Sequence, residues 1–177
     1  NGTELRGKTL GIVGIGRIGQ ATAKMALGLG MKVIAADSYI DKVDVKVEFF
    51  DGQSVTTTIV SQSLESLFKE ADFISLHVPA QNGYIISKAE LAIMKDGVGI
   101  VNCARGGVID EIALIDALDS GKVGFAGLDV FESEPKPEIK ILMHPKISLT
   151  PHIGAATGEA QDRIGTELAQ QIISILG

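Results

Sequence analysis

The sequence predicts a doubly wound α/β domain built on a parallel sheet, and three observations carry that prediction. Apolar runs recur along the chain with helical segments between them, and most are too uniformly apolar to leave one face in water. The glycine pattern Gly14-Ile-Gly16-Arg-Ile-Gly19 joins the first such run to a helical stretch. The second run, Lys32-Val-Ile-Ala-Ala36, ends in Asp37, eighteen residues past the last of those glycines.

Taken in order, Leu10 to Val13 is the first strand, followed by the glycine turn. The helix that follows is expected to set Ile18, Ala21, Met25 and Leu29 against the core at helical spacing, with Gly30 as its C′ residue. Lys32 to Ala36 is the second strand. From Val43 to Val60 the rhythm changes: Val43, Val45, Val47 and Phe49 alternate with polar residues, Asp51-Gly52 supplies a turn, and Val55 to Val60 continues extended. This predicts an inserted β-hairpin. It reads as an edge decoration in preference to a ligand site, with an interaction surface as the alternative.

Ser63 to Glu70 then predicts a helix and Phe73 to His77 a strand. Ser87 to Met94 predicts a helix opened by the capping box Ser87-Lys-Ala-Glu90. Gly99 to Asn102 is the next strand, and Asp110 is placed to cap a helix reaching Ser120. Strands at Gly124 to Leu128 and Ile147 to Thr150 and a long closing helix from Thr157 to Leu176 complete the series.

A chain of 177 residues fits one domain with a substantial core, and no linker or internal repeat divides it. Hydrophobic residues make up 45% and charged residues 21%, and no apolar stretch approaches the ~20 residues of a membrane span. A net charge of −6 without clustered Lys and Arg argues against nucleic acid. Cys103 is the single cysteine, so no internal disulfide forms, which fits a reducing cytoplasm. The chain starts at Asn1 without methionine or leader and ends inside a helical pattern, so it reads as a fragment.

The glycines alone prove little in a chain where 21 of 177 residues are glycine, and the context decides. Strand, glycine turn, helix, strand and acid is the fingerprint of a dinucleotide site: Gly14 permits the tight turn, Gly16 lets the backbone approach a pyrophosphate, and Gly19 lets helix and strand pack closely. The helix N-terminus offers N–H groups and a positive dipole to the phosphates. Asp37 can accept bonds from the adenosine ribose and would repel a 2′-phosphate, so NAD is favoured over NADP. No metal is called for.

In open α/β sheets ligands bind beyond the carboxyl ends of the strands. Asp37, His77-Val-Pro79, Asn102-Cys-Ala-Arg105-Gly-Gly107, Asp129 to Pro135 and Thr150-Pro-His152-Ile-Gly154 all sit there. Arg105 can grip a carboxylate with its planar fork. His152 can exchange a proton with a hydroxyl or carbonyl oxygen near neutral pH. Glu134, if it reaches the ring, would orient it and favour the charged imidazolium. With NAD this set suits hydride transfer at a 2-hydroxy or 2-keto acid.

The ordered motifs Gly11-Ile-Val-Gly-Ile-Gly-Arg-Ile-Gly19, His77-Val-Pro79, Val101-Asn-Cys-Ala-Arg-Gly-Gly107, Gly127 to Pro135 and Thr150-Pro-His-Ile-Gly154 span nearly the whole chain. Their order resembles that of the D-isomer-specific 2-hydroxyacid dehydrogenases. The resemblance implies a Rossmann-type NAD-binding lobe, covering residues 1–177, of an oxidoreductase that moves a hydride between NAD and C2 of a D-2-hydroxy or 2-keto acid, 3-phosphoglycerate among them. It implies Arg105, Glu134 and His152 as the catalytic set. It puts Arg17 and Ile18 at the pyrophosphate, Asp37 at the adenosine ribose, and His77, Val78 and Pro79 beside the adenine. Cys103 and Ala104 fall near the nicotinamide ribose, Asp129 at the nicotinamide carboxamide, and Gly154 in the loop after the histidine.

Against these roles stand plainer ones: Pro79 as a strand end, His77 as a satisfied interior histidine, and Cys103 as a small apolar filler. For Cys103 the plainer reading is preferred. His144 reads as surface, and Glu132 is set below Glu134 on the family pattern alone. Ala80 to Tyr84 is shorter than the family's loop and lacks its threonine, while Val43 to Val60 is longer than the family pattern. The family's second, substrate lobe is absent, with Asn1 to Gly7 and the closing helix as its connections, so this lobe alone should bind NAD with little turnover. A homodimer through the lobe is expected, with no nucleic acid and no membrane partner. An NAD(H)-sensing or corepressor-like module without turnover is the rival reading, and a dehydrogenase of another substrate class such as formate a third.

Overall fold

The computed structural model describes residues 2–177. Asn1, the start of the expected incoming connection, lies outside the described residues. Eight strands and six helices follow in the order β1 (Thr9–Val13), α1 (Arg17–Gly28), β2 (Lys32–Ala36), β3 (Lys42–Glu48), β4 (Ser54–Val60), α2 (Leu64–Glu70), β5 (Phe73–Leu76), α3 (Lys88–Ile93), β6 (Val98–Asn102), α4 (Glu111–Ser120), β7 (Val123–Leu128), α5 (Ile139–Leu142), β8 (Ile147–Leu149) and α6 (Gly158–Leu176). Six strands form one parallel sheet in the order β2-β1-β5-β6-β7-β8. The order reverses between β1 and β5, the position at which a doubly wound sheet opens a crevice for ligands.

Each strand sorts its side chains by the period of two. In β1, Leu10 and Ile12 point to a core shared with α1, while Val13 points to the opposite core. Gly11 lies on that second side because a Cβ there would stand 2.7 Å from Leu67 Cδ2 of α2. Helix α2 is short, capped by Ser63, which accepts from Ser66 N–H. It is held by Leu67 and Phe68, both at most 1% exposed, each contributing about 1.5–3 kcal/mol of burial. Ser87 and Glu90 form the capping box of α3, and Asp110 caps α4 by accepting from Ala113 N–H at 3.0 Å.

The inserted hairpin is present as β3 and β4, an antiparallel pair outside the main sheet. Val45 and Ile59 of its inner face join the α1 core, and Ser61 forms a single parallel bridge to Ala35 at the β2 edge. The hairpin thus roofs α1 and β2, well away from the carboxyl ends of β6 to β8.

Two expectations are corrected. The face of α1 that is buried consists of Gly19, Ala23 and Ala26, whereas Ile18, Met25 and Leu29 are 71%, 64% and 55% exposed and Ala21 is exposed. Close packing decides this: a Cβ on Gly19 would stand 2.1 Å from the carbonyl oxygen of Gly14, so only very small side chains fit against β1. The sheet is also not covered evenly. Over β6 and β7 one face carries Val98, Ile100, Val123, Ala126 and Leu128 under the helices, but the other presents Val101, Phe125 and Gly127, with Phe125 42% exposed. Helix α5, four residues between Pro137 and Pro145, is an addition to the predicted elements, and α6 buries none of its residues. No helix among the described residues is long and apolar enough to cross a membrane.

Candidate active site

The glycine turn is shaped by what it lacks. Gly14 has φ +90°, open to glycine and strained for other residues, and a Cβ on it would lie 2.4 Å from the His77 carbonyl oxygen. Its N–H donates to Ala36 O at 2.8 Å, tying the turn to the end of β2. Gly16 is the N-cap of α1, and no side chain caps the helix. A Cβ on Gly16 would meet open space, so the backbone at the first turn of α1 is open to close approach by a ligand. This is what a pyrophosphate needs, and the donors fit a dinucleotide. Asp37 joins the same loop: one carboxylate oxygen accepts from Ile15 N–H at 2.9 Å and the other from Tyr39 and Ile40 N–H at 2.8 and 3.1 Å. A carboxylate accepts about four bonds, which leaves about one for a ribose hydroxyl.

Beside this cradle lies a cleft of about 520 Å³ bordered by Gly16, Arg17, Ile18, His77 and, from α6, Arg163 and Ile164. Arg17 and Ile18, expected at the pyrophosphate, are therefore at its wall, and the exposure of Ile18 has its place here. His77 is half-buried, its Nε2 2.9 Å from Ser75 Oγ. Burial holds its imidazole below the usual value, so it is neutral at neutral pH. Val78 is half-buried and Pro79 exposed just beyond β5. Arg163 was not among the residues singled out; nothing in the sequence marks it except a place on the closing helix.

At the far end of the same sheet edge, two loops are pinned by buried polar side chains. Asn102, 3% exposed at the end of β6, accepts from Ala104 N–H and donates to Arg105 O, each at 3.0 Å. This turn projects Arg105 outward, with its Nη1 donating to Ala104 O at 2.6 Å. Ala104 is buried under the loop. Cys103 is exposed, so the expectation of a core filler is corrected: the turn held by Asn102 points it out. Partial burial and then the Asp129 charge push its thiol above the usual value, so it is not an activated nucleophile.

Asp129, 2% exposed after β7, holds the second loop. Its Oδ1 accepts from Thr150 Oγ1 at 2.6 Å and Ile153 N–H at 2.8 Å, and its Oδ2 from Gly154 N–H at 2.8 Å. Burial acts to raise its carboxyl, but these donors outweigh burial and hold it below the ordinary value. Gly154 is where it must be small, since a Cβ would stand 3.0 Å from Asp129 Oδ2. The carboxylate expected at a nicotinamide carboxamide is thus also the clamp of the histidine loop.

That loop carries His152 at φ +56°, the left-handed region that side chains rarely adopt. The conformation aims its Nδ1 at Glu134 Oε2, 2.7 Å away. Glu134 is fixed in turn, its Oε1 accepting from Phe131 N–H at 2.9 Å. The bond to His152 and then the Phe131 amide hold the Glu134 carboxyl below its ordinary value, so it is ionised at neutral pH. Sequence spacing could not separate Glu132 from Glu134; the structure does, because Glu132 turns away from the ring to the N-terminus of α4. A carboxylate on Nδ1 leaves Nε2 as the nitrogen free to exchange a proton. Next to the pair an apolar pocket of about 470 Å³ is lined by Phe131, Pro135, Leu142, Leu149 and Pro151. His144 makes its bonds elsewhere, to Asp119 and to Lys146 N–H, and its side chain is only 8% exposed; it is a structural residue and not the surface one expected.

Comparison with known proteins agrees with this geometry. Residues 1–154 match the family described as "D-isomer specific 2-hydroxyacid dehydrogenase, NAD binding domain". Hydroxypyruvate reductase of Thermotoga maritima is 51% identical over 181 residues, covering 99% of this chain and 55% of that protein. D-3-phosphoglycerate dehydrogenase of Methanocaldococcus jannaschii is 46% identical over 177 residues, covering 99% of this chain and 32% of that protein. The crystal structure of D-lactate dehydrogenase from Aquifex aeolicus, complexed with NAD and lactic acid, superposes with a TM-score of 0.77 at 35% identity, over 98% of this chain and 55% of that one. The chain therefore spans about half or less of the length of these relatives.

Proposed function

Since the chain belongs to the D-isomer-specific 2-hydroxyacid dehydrogenase family as an NAD-binding domain, we propose that it is the cofactor lobe of an oxidoreductase acting at C2 of a small D-2-hydroxy or 2-keto acid. The observation that carries this reading is the 2.7 Å bond between Glu134 and His152 on the sheet edge that also bears Arg105 and the glycine cradle. Bound NAD supplies the hydride acceptor for oxidation or, as NADH, the donor for reduction. The α1 N-terminus holds its pyrophosphate and Asp37 its adenosine ribose.

Arg105 pairs with the substrate carboxylate, which orients C2. In oxidation neutral His152 accepts the hydroxyl proton at Nε2, and Glu134 balances the charge that results. In reduction the same nitrogen returns the proton to the carbonyl oxygen. Glu134 fixes the tautomer throughout, because its carboxylate needs a proton on Nδ1.

Substrates proposed first are hydroxypyruvate and 3-phosphoglycerate, on the strength of the two relatives; the second would make this a D-3-phosphoglycerate dehydrogenase of serine biosynthesis. A second lobe would complete the pocket, and the exposed Met25 and Leu29 of α1, which have no part in the cleft, support a homodimer through this one. A cytoplasmic setting is supported by the lone exposed Cys103. The test is a screen of D-2-hydroxy and 2-keto acids with the full-length protein and NAD or NADH. NAD binding without turnover on any of them would replace the enzyme reading with that of a nucleotide-sensing module.

A further inference from the structure

Two carboxylates that take no part in the proposed chemistry are locked to each other's backbone. The N–H of Glu111 donates to Glu132 Oε1 at 2.9 Å, and the N–H of Glu132 donates to Glu111 Oε1 at 2.8 Å. Residues 21 apart in sequence, one at the first turn of α4 and one just past β7, thus form a closed reciprocal clasp. Glu111 is only 7% exposed, and among the described residues neither carboxylate pairs with a Lys or Arg. The neighbouring groups are Tyr84, whose hydroxyl donates to Glu132 Oε2 at 3.3 Å, together with Asp110 and Glu138. Burying a carboxylate among acids is costly, and α4 does not need it, because Asp110 already caps the helix.

What the clasp holds is the segment Phe131 to Glu134. On its other side Gly106 abuts the same peptide so closely that a Cβ would stand 1.8 Å from Phe131 O. The segment is therefore gripped between α4 and the Arg105 loop, and its Phe131 N–H is the donor that sets the Glu134 carboxylate toward His152. We propose that Glu111 and Glu132 are positioning residues of the dehydrogenase site, their mutual carboxylate-to-amide bonds fixing the Glu134 segment, and through it the His152 ring, against the Arg105 loop. This rests on the dehydrogenase reading above.

The test is a double-mutant cycle in the full-length protein, after wild-type turnover has been established on one 2-keto acid. Glu132→Ala lowers kcat about tenfold or more, leaves the NAD Kd within about twofold, and costs little further in a Glu134→Gln background, because residues acting through one another are not additive. Glu132→Gln, which keeps an acceptor oxygen, recovers most of the rate. The pH profile of reduction moves in Glu132→Ala in the same direction as in Glu134→Gln. If Glu132→Ala does not fold, Glu111→Asp serves instead: it keeps the charge but withdraws the carboxylate by one methylene. A folded variant with wild-type kcat and pH profile, or with a loss fully additive to Glu134→Gln, overturns the proposal while leaving the dehydrogenase intact. Absence of wild-type turnover on every acid removes the function itself, and this role with it.

Discussion

Around Gly14 to Gly19 the backbone is set by missing side chains, whereas at the other end of the same sheet edge Asn102, Asp129 and the Glu111–Glu132 pair set it by filling space with acceptors. The first region leaves the first-turn N–H groups of α1 to an anion; the second commits the N–H groups of Ala104, Phe131, Ile153 and Gly154 to side-chain acceptors, and Arg105 and His152 face outward. A ligand held by many backbone donors needs only shape, while a proton transfer needs one nitrogen at one angle. The two regions therefore fail differently when altered.

Replacing His152 by Ala is the severest test of the second region: kcat of the full-length protein falls by about two to four orders of magnitude with NAD affinity nearly unchanged. Near-normal turnover would remove His152 from the reaction. In the first region Gly19→Ala sets a methyl against Gly14 O and costs about 1–3 kcal/mol of stability, read as a lower midpoint in denaturant. Gly16→Val sharpens the contrast, since its side chain enters open space: the melting temperature holds while NAD Kd rises about tenfold or more. Equal effects on folding at positions 16 and 19 would break the distinction between packing glycine and phosphate glycine.

Smaller effects belong to the acids. Asp129 has its folded value depressed, so its stabilising bonds are complete above the ordinary carboxylate range and are lost as pH falls through the depressed value. Asp129→Asn is thus less stable than wild type by about 1–2 kcal/mol at neutral pH, and the gap closes in strong acid. A gap independent of pH would mean that the charge of Asp129 is not what holds the loop. Glu134→Gln removes the anion facing the His152 ring, so the pH profile of reduction moves to lower pH; an unmoved profile would separate the pair functionally.

The difference between the regions also governs what the sequence reveals. Strand runs, the glycine spacing, the capping residues Ser87 and Asp110, and the hairpin are local signals, and each forms as its residues suggest. The face of α1 was illegible because hydrophobicity marks Ile18, Met25 and Leu29, while the deciding quantity is how little room Gly14 O leaves beside Gly19. Arg105 and His152 stand out by their places after strands, whereas Glu134 could be told from Glu132 only by the family pattern until the structure set it 2.7 Å from the His152 ring. The supports beneath them could not be read: Asn102 looks like a strand end, Glu111 like the first turn of a helix, and their bonds depend on which loops the topology brings together.

The φ of +56° at His152 sets selection for folding against selection for turnover at a single position. A glycine there would relieve the backbone, and an asparagine would sit more easily than most. Any search for sturdier variants of this protein, whether by heat challenge or by evolution under relaxed metabolic demand, is therefore drawn to discard the imidazole first, and descendants that have lost the reaction should be recognisable by a small residue in its place.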